Sequence, residues 1–109
     1  ILRGIQPDII NKFDIFISPI LERINMEQLS TIKDKIDTIY VAGENYSGAR
    51  ICRYEWVTAM HSQAKALGIN FIFWDIGSNF WKGNKQYKIL DSEIRQDQAR
   101  KSGLIYHNQ

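Results

Sequence analysis

Three apolar runs divide this chain: FDIFIS (13–18), DTIYVAG (37–43) and INFIFWDIG (69–77). Each is short and rich in Ile, Val, Phe or Tyr, which is the composition of strands. The first is apolar almost throughout, as in a strand buried on both faces.

Helical spacing fills the gaps. Asn25 stands where a helix cap is needed, with Gln28 three residues on as in a capping box. Met26, Leu29, Ile32 and Ile36 follow at intervals of three, three and four, which makes one helical stripe. In YEWVTAMHSQAKALG (54–68), Trp56, Val57, Met60, Ala64 and Leu67 share a face, and Gly68 is a C-terminal stop. Strand, helix, strand, helix, strand is the order of parallel βαβ units, whose crossovers are right-handed.

The remainder changes character. NFWKGNKQYKIL (79–90) reads as a β-hairpin turning at Gly83-Asn84. Residues 91–101 form a short polar helix ended by Gly103, and LIYHNQ is a tail with an apolar start. The expected fold is therefore α/β, with three parallel strands, two crossover helices, a C-terminal β-hairpin and a short helix. At 109 residues it is a single domain spanning the whole chain. Such a sheet has two unpaired edges. The Ile-rich first strand points to a missing neighbour, either lost N-terminal strands or a second copy pairing as a homodimer. The opening ILRGIQPD, without methionine, reads as a piece of something longer, and a processed N-terminus would look the same.

Charge and cysteine content narrow the function classes. A net charge of +2 does not by itself imply nucleic acid or a membrane. No apolar run approaches the roughly 20 residues that span a bilayer. One cysteine, Cys52, allows no intrachain disulfide and no iron–sulfur cluster, and fits a reducing, cytoplasmic setting.

Ligands in parallel α/β sheets sit beyond the carboxyl ends of the strands. Residues 19–24, 43–53 and 75–79 are the loops there. Their ligand-binding candidates are Gly43, Glu44, Asn45, Arg50 and Asp75. Gly43 and Gly48 permit close approach or positive φ. Glu44 looks into the mouth, and Arg50 is either its ion partner or a fork for an anion. Asp75 either joins the site or caps the turn before Gly77. The loop matches neither a Walker A motif nor GxGxxG. No residue is assigned a catalytic role. His61 and His107 have no second ligand at metal spacing, so no metal site is expected. Cys52 reads as a packing residue at the helix entry. Trp74, Phe80, Trp81 and Tyr87 form an aromatic cluster that covers the sheet end or stacks on a partner. Lys82, Lys85, Lys88, Arg95, Arg100 and Lys101 make the C-terminal part basic, as solvated charge or as phosphate contacts.

VAGENYSGAR with YEWV, GINFIFWDIGSNFWKGNKQY and QARKSG resembles the C-terminal part of a phage-associated protein family of unknown function, grouped with radical S-adenosylmethionine proteins. The likeness runs over residues 13–106 and rests on Gly43, Glu44, Gly48, Ala49, Arg50 and Cys52, with Trp56 and Gln98-Ala99-Arg100. The resemblance implies a partial (β/α) barrel whose N-terminal half carries CxxxCxxC for a [4Fe–4S] cluster and S-adenosylmethionine. This chain would be the last strands and part of the mouth, non-catalytic alone, with no cofactor of its own and the missing barrel half as its partner. It departs from the family at Ala42, Ile51, Ser18-Pro19 and Trp74-Asp75, where members carry glycine, proline, Glu-Pro and Lys-Gln. The alternative is a stand-alone module gripping nucleic acid or a protein partner through the hairpin, 80–88.

Overall fold

A computed structural model describes residues 12–20 and 25–108. Residues 1–11, which include the opening ILRGIQPD, residues 21–24 of the loop 19–24 and the Gln28 side chain of the capping box lie outside the described residues. The chain is mixed α/β, with two α-helices and two small sheets among the described residues.

The larger sheet has four strands. β1 (Phe13–Ile17), β2 (Ile36–Ala42) and β4 (Asn70–Asp75) are parallel neighbours in that order. Between β2 and β4 come the two-residue β3 (Cys52–Arg53) and helix α1 (Tyr54–Leu67). The smaller sheet joins β3 to a hairpin, β5 (Phe80–Lys82) and β6 (Lys85–Tyr87), with β3 parallel to β5. Helix α2 (Ser92–Lys101) and β7 (Ile105–Tyr106) complete the chain.

The three expected strands are parallel, and β7 adds an antiparallel fourth that the sequence reading lacks. The apolar start of the tail runs antiparallel along β4, pairing Phe71 with Tyr106 and Ile72 with Ile105. Leu104 O also accepts from Phe73 N at 3.1 Å. Backbone groups on the outer edge of β4 are thereby satisfied from within the chain. The reversal is made by Gly103, whose φ of 74° is a conformation glycine adopts without a Cβ penalty.

The first crossover is a correction. Where the Met26 stripe predicts an α-helix, the described residues hold two 3₁₀ turns, Glu27–Thr31 and Lys33–Lys35. Leu29, Ile32 and Lys35 each donate to the carbonyl three residues back, at 2.9, 3.1 and 2.9 Å. Ser30, Thr31 and Ile32 disfavour a helix through side-chain competition and β-branching. Ile36, the last member of the stripe, is the first residue of β2 instead. Met26 is buried and Leu29 half-buried, so part of the stripe still packs, while Ile32 is left 39% exposed. Met26, not Asn25, occupies the cap position, with no side-chain cap bond.

α1 forms where its periodicity places it. Val57, Met60 and Ala64 are buried, and Trp56 and Leu67 pack at the margin of the core. Gly68, at φ 72°, ends the helix with its N–H on Ala64 O and Lys65 O. Asp91 caps α2, accepting from Glu93 N and Ile94 N at 2.9 and 3.2 Å.

α1 and α2 both lie against the sheet face that carries Phe71, Phe73 and Asp75. His61 of α1 meets the Phe71 ring edge-on at 5.6 Å, and Arg95 of α2 reaches Asp75. Register places Phe16, Tyr40, Ile72 and Ile105 side by side on the opposite face. Phe16 stacks on Tyr40 at 4.7 Å and is 66% exposed. Phe13 is also exposed, so β1 is not buried on both faces as its composition suggests. Its outer edge pairs with no strand among the described residues. No helix among the described residues is long and apolar enough to cross a membrane.

Candidate functional site

The carboxyl ends of β2 and β4 meet so closely that only glycine fits. A Cβ on Gly43 would stand 2.7 Å from Ile76 O and 2.9 Å from the Cys52 Cβ. One on Gly77, at φ 81°, would stand 2.8 Å from Gly43 Cα. Real side chains do not tolerate such distances, so the two loops cross in backbone contact. Gly43 N donates to Asp75 O at 3.0 Å, and Ser78 N to Glu44 O at 2.8 Å. Ser78 Oγ donates to Tyr46 O at 2.6 Å, and Asn79 Nδ2 to Ala49 O at 3.0 Å.

Glu44 spends its carboxylate inside this rim. Its Oε1 accepts from Arg50 N at 2.7 Å, and both oxygens accept from the Arg50 guanidinium. The Glu44 side chain is only 9% exposed, whereas that of Arg50 is 63% exposed. The guanidinium hydrogen bonds, then the Arg50 backbone N–H, hold Glu44 at a pKa of about 2, below its ordinary 4.5. Glu44 in turn raises the pKa of Arg50. A charge-assisted fork of this kind ties the two ends of the loop together. Asn45 is exposed at its tip.

Asp75 belongs to a different environment. It is 1% exposed, and its Oδ1 accepts from Gly77 N at 2.8 Å and from Arg95 Nε at 3.0 Å. Arg95 is 4% exposed, and its Nη1 donates to Leu90 O. The expected turn-capping bond is thus present, joined by a buried ion pair absent from the sequence reading. Arg95, grouped there with the solvated basic residues, is buried. The only sequence hint was its place four residues before Ala99, itself buried on α2. Glu44 and Arg50 come together, and Asp75 pairs with Arg95 on α2.

Cys52 is buried on β3, and burial, with a smaller contribution from the Asp75 charge, pushes its thiol up to about 12. A thiol in that state is not nucleophilic near neutral pH. His61 is occupied by Phe71 and by Ile105 O at 3.3 Å. Among the described residues no group of three His, Cys, Asp or Glu side chains stands together to hold a metal.

The feature that sequence reasoning found only in part lies beneath the hairpin. A cavity of about 250 Å³ opens between β5, β6, the start of α1 and the end of α2. Ile76, Phe80 and Ile89 give it apolar lining, with Tyr54 and Tyr87 beside them. Phe80 and Tyr87 lie 6.2 Å apart, and Tyr54 meets Phe80 edge-on at 6.3 Å. Lys82 places its ammonium 4.6 Å from the Tyr54 ring centre, and Lys85 sits 5.3 Å from that of Tyr87. Lys101, Gln98 and Ser102 line the α2 side. Two carboxylates temper the charge. Asp97 pairs with Lys101 at 2.9 Å and with Arg100 at 3.0 Å, and Glu55 accepts from Gly83 N. On the other face of the hairpin Trp81 donates to Asn79 Oδ1 and lies under Arg53. Phe80, Tyr87 and Lys82 were visible as an aromatic and basic hairpin, but Tyr54 and Gln98 lie on separate helices that only the fold brings together.

No family model matches this sequence, and no curated protein or solved structure does.

Proposed function

We propose that this chain works by binding rather than by catalysis, and that it holds a single-stranded nucleic acid across the hairpin. The observation that carries this is the cavity that Tyr54, Phe80 and Tyr87 wall and that Lys82 and Lys101 border. Aromatic surface interleaved with cations is what a strand needs, since its bases stack and its phosphates pair. Lys85, Lys88 and Arg100 are exposed around the same region and extend the positive surface. The rim at Glu44 and Arg50 serves this reading as scaffold, because it fixes Asn79 and hence the start of β5. Cys52 N donates to Asn79 O at 2.9 Å in the same clasp. Titration of a labelled oligonucleotide at two salt concentrations tests the reading. Affinity is expected to fall steeply with added salt as counterion release weakens. No binding at low salt ends it.

A second reading is favoured by the outer edge of β1, which pairs with no strand among the described residues. In it the chain is the C-terminal segment of a larger phage protein of the radical S-adenosylmethionine type, and the missing barrel half pairs with β1. Cluster and cofactor would then belong to that half. This chain offers a single, buried thiol, and its rim carboxylates, Glu44 and Asp75, are engaged by Arg50 and Arg95. Those residues do not make a cofactor site by themselves, and the exposed guanidinium of Arg50 is the group left to face an anionic ligand. The discriminating measurement is S-adenosylmethionine binding by the longer protein with and without Arg50→Ala. Equal affinity removes the rim from the reading.

A further inference from the structure

Size and chemistry together narrow what the hairpin cavity accepts, a step that rests on the nucleic-acid reading above. At about 250 Å³ it falls below the roughly 300–1,000 Å³ of sites for drug-sized ligands. It therefore admits one ring system, not a run of stacked bases. Part of its lining is apolar and aromatic, which suits a flat, weakly polar ring, and Lys82, Gln98, Lys101 and Ser102 give it a polar part. Lys82 from β5 and Lys101 from the last turn of α2 both line it, so the ligand carries an anion. Gln98 adds an amide, which offers a donor and an acceptor together, as the edge of a base requires.

We propose that the cavity is a subsite for one nucleoside monophosphate unit, with the base against Tyr54, Phe80 and Tyr87 and the phosphate between Lys82 and Lys101. The unit comes either from a strand with one base turned out of its stack or from a free nucleotide. Lys82 rests on the Tyr54 ring in the unliganded chain and leaves it for the phosphate. Lys101 is shared with Asp97, which stays paired to Arg100 when the phosphate draws Lys101 away.

Three probes and two variants test this. The probes are an eight-nucleotide single strand, the same strand with abasic sites throughout, and a free nucleoside 5′-monophosphate. Gln98→Trp fills the cavity from an exposed helix position and leaves the lysines in place. Tyr87→Ala removes one wall and serves if the first variant loses its helical circular dichroism. The wild-type chain is expected to bind the intact strand about ten-fold or more tighter than the abasic one. Either variant is expected to abolish that difference while the salt dependence of strand binding stays the same. Equal binding of intact and abasic strands overturns the subsite and leaves the nucleic-acid reading standing. Binding of the free monophosphate alone, lost in the variants, keeps the subsite and overturns the strand as its source. No binding by any probe overturns both.

Discussion

The Asp75–Arg95 pair gives the sharpest test of how this fold is held. Arg95→Met removes the guanidinium and keeps a side chain of similar length for packing. It leaves the Asp75 carboxylate, 1% exposed, facing only the Gly77 N–H, because Oδ2 already lacks a partner. It also strands the Leu90 carbonyl, which Arg95 Nη1 now satisfies. Deleting one member of a buried pair costs about 3–5 kcal/mol. For a domain of this length that lowers the melting temperature by roughly 13–22 °C. The second variant, Asp75→Asn with Arg95→Met, removes both charges and keeps an oxygen for Gly77 N. Because the bare pair is no great stabiliser over neutral packing, the double variant is expected to recover most of the loss. Thermal and urea unfolding of wild type, both single variants and the double variant close the cycle. A double variant no more stable than Arg95→Met, or a single loss under about 1 kcal/mol, refutes the claim that an uncompensated buried charge is what the pair prevents.

Four further outcomes rest on the contacts of the rim, the α2 cap and the core. Gly43→Ala and Gly77→Ala are each expected to destabilise by about 1–3 kcal/mol or prevent folding, since backbone must move, while Gly48→Ala meets only its φ of 85° and costs about 1 kcal/mol; chemical denaturation ranks the three. Glu44 has a depressed folded pKa, so its stabilisation of the loop is present above the unfolded value of 4.5 and lost as pH falls through about 2; the Arg50 Nε–H resonance should hold its position at pH 4 and shift only near pH 2. Asp91→Ala removes the α2 cap and is expected to cost about 1 kcal/mol in unfolding free energy. Cys52 should resist a thiol reagent at pH 8 in the native chain and react only on unfolding.

Much of the architecture was legible because it depends on local pattern. The strands containing Ile39 and Phe73, the α1 stripe through Val57 and Ala64, the Gly68 stop and the Gly83-Asn84 turn each follow from periodicity or from one residue's backbone preference. What the pattern missed depends on distance along the chain. Leu104 and Ile105 are a two-residue apolar signal, too short to announce a strand, and Ile105 with Tyr106 forms one only because β4 offers an open edge. The Met26 stripe failed for the converse reason. Ile36 fits helical spacing, but β2 takes it, and Ser30 to Ile32 cannot resist. Arg95 looked like another surface cation because sequence carries no trace of Asp75, twenty residues away, as its partner.

The same contrast explains which half of the chain's polar chemistry remains available. Glu44 and Asp75 stand at the strand ends where ligand sites form, yet each is engaged by an arginine, Arg50 from the same loop and Arg95 from α2. Glu44 must surrender its guanidinium bonds before it can bind anything else, and Asp75, 1% exposed, must first be uncovered together with its buried guanidinium partner. The lysines of the hairpin face no such obstacle. Lys82 and Lys85 rest on aromatic rings, contacts worth about 0.5–1 kcal/mol at an exposed site. Under the proposed function, a phosphate would replace these contacts at small cost. In the proposed function, recognition falls to the groups held most weakly, while the rim whose residues looked most like a site keeps the loops in register.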